Sequence, residues 1–343
     1  MTLSGIGPTR RTHRRPTTVQ RVLGTGAMAT QTHPFDSVAP ARPRSGASTE
    51  DGSFPPLSLD AAVTFLDTAS SGRIACYRDD RGDDAPVVLV HSVNAAASAY
   101  EMRPLFEHYQ GYRPVYALDL PGFGASSRDD AEYTPQRFID AIERVLIDVV
   151  DAEQRPATVV ALSLSCEFAA GVAIRSSRLI RSLVHLSPTG LDAKPRQPGR
   201  FSAVQRAIFH NDWVARGLFP LLASRPSVRY FLSKSFVGAV PQDLVEKALA
   251  TSHVRGARHA PAAFLSGELF TSDALQNLYL KVGVPQLVIY DKDAYSDFGA
   301  LPKLVSENSD AFEEVIAPSR GMAHWEHTAR VLDAIRVFEA SAL

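Results

Sequence analysis

The chain has 343 residues, 45% of them hydrophobic and 21% charged, so it can bury a sizeable core as one large domain with an insertion or as two domains. A formal net charge of -1 gives no sign of the electrostatic footprint of a nucleic-acid binder, and no apolar run approaches the roughly 20 residues needed to span a bilayer. Two cysteines, Cys76 and Cys166, make neither a disulfide framework nor a metal cluster, which fits a reducing, cytoplasmic setting.

Residues 1–56 differ from the rest. Met1 to Phe35 holds no acidic residue but has Arg10, Arg11, Arg14, Arg15 and Arg21, and Pro, Ser, Thr and Gly dominate as far as Pro56. Such a segment lacks the apolar content to offset its ordering entropy, so it reads as a disordered tail or as sequence upstream of a start at Met28. Its basic, acid-poor start also shares features with organellar transit peptides; the apolar core of a secretory signal is missing.

From Leu57 onward short apolar runs alternate with amphipathic stretches. Strands are predicted at 62–68 and 73–78, joined by a Ser-Ser-Gly turn, and at 85–91, where continuous β-branched residues indicate burial on both faces. A helix over 99–109 leads to a strand at 114–120 that ends in Pro-Gly-Phe-Gly. Apolar residues recurring at three and four predict a helix over 135–152. A strand at 157–162, a helix at 165–176 and a strand at 181–187 follow; strands at 285–291 and 312–317 and a helix at 327–342 close the chain. This alternation implies a mostly parallel central sheet with helices on both faces. Between Leu191 and Val282 the rhythm breaks into helices carrying Phe209, Trp213, Phe219, Tyr230 and Phe231, which reads as a helical cap over the sheet. The core is then 57–190 with 283–343, and the cap 191–282.

Ligands of parallel α/β sheets bind beyond the carboxyl ends of the strands. There the sequence places, in chain order, His91-Ser92-Val93-Asn94, Asp119–Ser127, Ser163, Ser187–Asp192, Asp291–Asp297 and Ser319–His327. A serine, then acids, then histidines is the order Ser…Asp…His.

With VVLVHSVNAAASAYEMRPL, VYALDLPGFGASS and VVALSLSCEFA at fitting distances, the chain resembles the α/β-hydrolase fold superfamily, in an esterase-like branch, from about Val63 to Phe338. The resemblance implies that Ser163 is a nucleophile on a sharp strand-to-helix turn, flanked two residues away by small Ala161 and Ser165 in place of the usual glycines. It implies oxyanion donors in the backbone N–H groups of Leu164 and Val93, with Asn94 either adding a contact or supporting the loop. The acid expected after the penultimate strand falls on Ala294, leaving Asp293 and Asp291 as candidates, with Asp297 and Asp192 further off. The expected histidine position holds Met322, leaving His324, and after it His327, as candidate bases. His91 and His185 read as structural, and Cys166 as core packing.

These parts imply a serine hydrolase without cofactor or metal. Its substrate would be a small hydrophobic molecule, first of all a carboxyl ester, opened through an acyl-enzyme. Thioesters, lactones, amides and C–C bonds between carbonyls use the same parts, as would a transferase or lyase. The other reading is a binding protein that keeps the fold and cavity but has lost the proton-transfer machinery. Its warrant is the simultaneous change at Ser92, the elbow, the acid loop and the histidine loop.

Overall fold

Alternation of β-branched runs with amphipathic segments produces an eight-stranded sheet in the order β1-β2-β4-β3-β5-β6-β7-β8. The structure, a computed structural model, describes residues 55–194 and 212–342, without the side chains of 212–216. The tail assigned to 1–56 and the aromatics Phe209 and Trp213 therefore fall outside it, apart from Pro55 and Pro56.

Strands β1 (Ala62–Thr68) and β2 (Gly72–Asp79) form a hairpin, and β2 runs antiparallel to β4 (Val115–Leu118). The remaining neighbours are parallel: β4 with β3 (Val87–Val90), β3 with β5 (Ala157–Leu162), then β6 (Ile180–Leu186), β7 (Gln286–Tyr290) and β8 (Ala311–Val315). Every residue of β3, β4 and β5 is buried, as continuous apolar runs require when helices cover both faces. The period of two divides them: Val88, Val90, Val159 and Ala161 enter one core, and Val87, Leu89, Val160 and Leu162 the other.

Helices α2 (Pro135–Glu153) and α3 (Ser165–Arg175) cover the first face, and α1 (Arg103–Tyr109) and α11 (Thr328–Ala342) the second. Helix α2 starts where the Thr134 side chain accepts from Arg137 N and Pro135 fixes the first turn. Its Phe138 ring stacks on Phe168 of α3 at 4.8 Å, joining the two helices over β5. Between β6 and β7 the described residues form α4 (Asp212–Leu222), α5 (Arg225–Lys234), α6 (Gln242–Ser252), α7 (His259–Leu265) and α8 (Ala274–Asn277). After β7 come α9 (Leu301–Glu307) and the single turn α10 (Ala323–Glu326), neither of which is long enough for apolar periodicity to announce it.

A buried carboxylate fixes the carboxyl end of β4. Asp119 is fully buried and accepts from the Ser58 hydroxyl at 2.8 and 2.9 Å, the Tyr77 hydroxyl at 2.7 Å, and the N–H groups of Ala99 and Ala125 at 2.8 Å each. Gly124, at φ +49°, lies so close that a Cβ there would come within 1.9 Å of the Asp119 carboxyl carbon. The Pro-Gly-Phe-Gly turn thus exists to wrap main chain around this carboxylate. Replacing Asp119 with Ala orphans four donors at once, at about 1–3 kcal/mol for each one left unpaired. The urea midpoint of Asp119→Ala is expected to fall by the equivalent of at least about 3 kcal/mol with little change in slope; an unaltered midpoint would remove Asp119 from this role.

Candidate active site

Ser163 sits between β5 and α3 with φ +56°, a left-handed conformation that costs a non-glycine residue about 1 kcal/mol or more. Its N–H donates to Leu186 O at 2.9 Å, which ties the turn to the end of β6. The residues two positions away are confined: Ala161 is buried at the end of β5, and the buried Ser165 donates its hydroxyl to His91 O at 2.6 Å. Small side chains are needed here because strand, helix and the His91 loop converge. The Ser163 hydroxyl makes no hydrogen bond among the described residues and faces a cavity of about 340 Å³.

The loop after β3 is held by two residues. His91 Nε2 accepts from Leu120 N at 2.9 Å, so its Nδ1–H donates to Ser92 O at 2.6 Å, and burial lowers its pKa, favouring this neutral form. Glu101, also buried, accepts from Ser92 N at 2.9 Å and from Asn94 Nδ2 at 2.8 Å. Asn94 Oδ1 in turn accepts from Ala96 N at 2.8 Å, so Asn94 supports the loop. The Val93 and Leu164 N–H groups make no hydrogen bond among the described residues.

Asp293 lines the same cavity as Ser163. Its Oδ1 accepts from Tyr295 N at 2.7 Å. Burial pushes its carboxyl up to about 6, against the opposing pull of the backbone N–H groups of residues 294–296. Gly321, at φ +100°, packs on the other oxygen: a Cβ there would lie 2.7 Å from Asp293 Oδ2. The next residue, Met322, contributes to the cavity wall.

His324 points elsewhere. The turn α10 carries it away from the cavity into full burial, where its Nε2–H donates to Glu101 O at 2.8 Å, beside the Trp325 indole N–H at 2.6 Å on the same carbonyl. Its Nδ1 has no hydrogen-bond partner among the described residues, and burial lowers the imidazole to about 4, so it is neutral. The roof of the cavity comes from the helices between β6 and β7 and is mostly apolar, with Leu222, Val228, Leu232, Phe264, Leu265 and Phe270 among its residues. Lys247 of α6 also faces it.

The profile of the alpha/beta hydrolase family matches residues 87–334, most of the chain. The chain belongs to the alpha/beta hydrolase family. It is 25% identical to an (E)-2-((N-methylformamido)methylene)succinate hydrolase of Acinetobacter baylyi over 225 residues, 65% of this chain and 78% of that protein. A haloalkane dehalogenase of Agrobacterium fabrum is 32% identical over 137 residues, but this covers only 35% of the chain and 42% of the dehalogenase, less than half its length. Among solved structures, a thermophilic esterase from Thermogutta terrifontis superposes with a TM-score of 0.64 at 19% identity, covering 82% of this chain and 99% of the esterase.

Against the expectations for an alpha/beta hydrolase, the structure brings Ser163, Val93 and Asp293 to one cavity. Asp291 is outside it and accepts from Ser319 N at 2.9 Å, while Asp297 accepts from Ala193 N at 2.9 Å. His324 does not meet Ser163 or either acid, because α10 turns its ring onto the Glu101 carbonyl. His327 fares no better, with Nε2 against Pro318 O at 2.7 Å. His185 is buried edge-on to Tyr279, and Cys166 is buried with its thiol pushed well above the ordinary range, so both are core residues. Glu101 and Lys247 were not legible as site residues, since each looks like the polar position of an amphipathic helix.

The neutral state of His324 has a consequence for stability. The unfolded chain takes up a proton near 6.5 but the folded imidazole only near 4, so this residue costs no stability above pH 6.5 and weakens the fold as pH falls from there to 4. Asp293 acts in the opposite sense between about 6 and 3.8, and His185, also held near 4, in the same sense. His324→Gln is expected to keep a donor for the Glu101 carbonyl and to make the urea midpoint fall less steeply between pH 6.5 and 4. An equally steep profile would contradict a neutral buried His324.

Proposed function

We propose that this chain is a hydrolase of an apolar carbonyl substrate, a carboxyl ester in the first instance, acting through an acyl-enzyme on Ser163. The observation that carries this reading is the left-handed Ser163, whose turn lifts an unpaired hydroxyl to a cavity roofed by apolar side chains. The N–H groups of Val93 and Leu164 are the donors for the oxyanion, a stabilisation often among the largest single catalytic contributions. The hydrolase relatives support the reaction class. The site needs no metal or organic cofactor for this chemistry, and a cytoplasmic location accords with its free, buried cysteines.

A specific observation favours a second reading, a binding protein derived from a hydrolase: among the described residues, Met322 lines the wall and no histidine does. Treatment with a fluorophosphonate probe, followed by intact mass and peptide mapping, separates the two. A single adduct on Ser163, lost in Ser163→Ala, is expected of the hydrolase. Folded protein that takes up no adduct, yet binds apolar esters without turnover, would establish the binding protein instead.

A further inference from the structure

We propose that Asp293 is itself the proton acceptor and donor for Ser163, in place of a histidine. This rests on the reading of Ser163 as nucleophile and adds the base that reading lacks. The geometry supports it in four ways. Asp293 and Ser163 line one cavity, where no imidazole is present among the described residues. The two candidate histidines are both committed to main-chain carbonyls, His324 to Glu101 and His327 to Pro318. The other carboxylate of the cavity among the described residues, Glu101, is occupied at both oxygens by Ser92 N and Asn94 Nδ2. Asp293 has Oδ1 anchored by Tyr295 N, while Oδ2 lies against Gly321, where a Cβ would crowd it at 2.7 Å.

The proton affinity fits the task. A general base works best with a pKa near the operating pH, and burial brings this carboxyl to about 6, close to a free imidazole. The groups around it oppose that shift only in part. They are the backbone N–H groups of 294–296, the main chain at Gly321 and the Tyr295 phenol, itself raised by burial and by Asp293. Among the described residues, the cavity's remaining charged groups are Glu101 and Lys247, and Lys247 Nζ donates to Leu57 O at 2.8 Å.

The steps balance with these residues alone. Asp293 takes the Ser163 proton, directly or through one water, as Oγ bonds to the carbonyl carbon and the carbonyl electron pair moves onto oxygen. The tetrahedral centre collapses, the bond to the leaving oxygen breaks, and that oxygen takes the proton back from Asp293. A water then gives a proton to Asp293 as its oxygen bonds to the acyl carbon. Ser163 Oγ leaves with that proton, freeing the acid.

The test is the rate of fluorophosphonate labelling of Ser163 against pH in the full chain. In the native protein the rate is expected to rise through an inflection near pH 6, because only the ionised carboxylate accepts the proton. Asp293→Asn, verified as folded by its melting curve, should lose the inflection and label about 100-fold more slowly or worse, whereas His324→Gln should keep it. If Asp293→Asn does not fold, Asp293→Glu carries the test: the inflection should move, and one fixed at the native pH overturns the proposal. An inflection that survives in Asp293→Asn, or vanishes in His324→Gln, also overturns it while leaving Ser163 as nucleophile. Absence of labelling in the native protein at any pH would overturn the nucleophile, and this proposal with it.

Discussion

The architecture of the site depends on burying negative charge among main-chain donors. Asp119 gathers the end of β4, the hairpin strand β2, the segment at Ser58 and the turn at Ala99 onto one carboxylate. Two residues past Ala99, Glu101 repeats the device, drawing in Ser92 N and Asn94 with its carboxylate and the α10 turn with its carbonyl. A buried carboxylate is costly unless its lone pairs are filled. Because they are filled from loops, the loops lose their freedom. The elbow, the strand-end loop and the last turn before α11 are positioned relative to one another by this chain of acceptors.

The difference between Asp119 and Asp293 follows from the same physics. Asp119 is surrounded by hydroxyl and amide donors from four segments. Asp293 is desolvated by an apolar cavity with fewer compensating donors, so its proton is held more tightly than usual. Asp119 ties segments of main chain together and Asp293 lines a cavity, although both follow a strand end in the same sheet.

Much of the fold was legible because its strands are buried on both faces. Runs such as Val87–Val90 and Ala157–Leu162 leave no alternative to a covered sheet, and Phe138, Ile142, Val145 and Val149 mark one face of a long helix. The position of Ser163 was legible too, since only a tight turn needs small residues at both 161 and 165. The proton machinery was not. Distinguishing Asp293 from Asp291 requires knowing which carboxylate meets Gly321, a long-range contact invisible in local spacing. The orientation of His324 depends on α10, a four-residue turn too short for periodicity to reveal. Glu101 resembles an ordinary helix acid until its four partners are seen together.

One more buried carboxylate sets how the region between β6 and β7 can change. Glu167, on the elbow helix α3, accepts from the Thr189 hydroxyl just after β6 and from Thr271 N at 2.8 Å just before α8. The two ends of a stretch of about 80 residues are therefore clasped at one point, next to the turn that carries Ser163. Loop-closure entropy grows only with the logarithm of length. The loop-closure cost of lengthening or shortening that stretch is therefore small, and the clasp holds its ends whatever its length. The roof of the cavity and the geometry of the Ser163 turn are in this way separable under evolution: the roof can be rebuilt while the floor remains as it is.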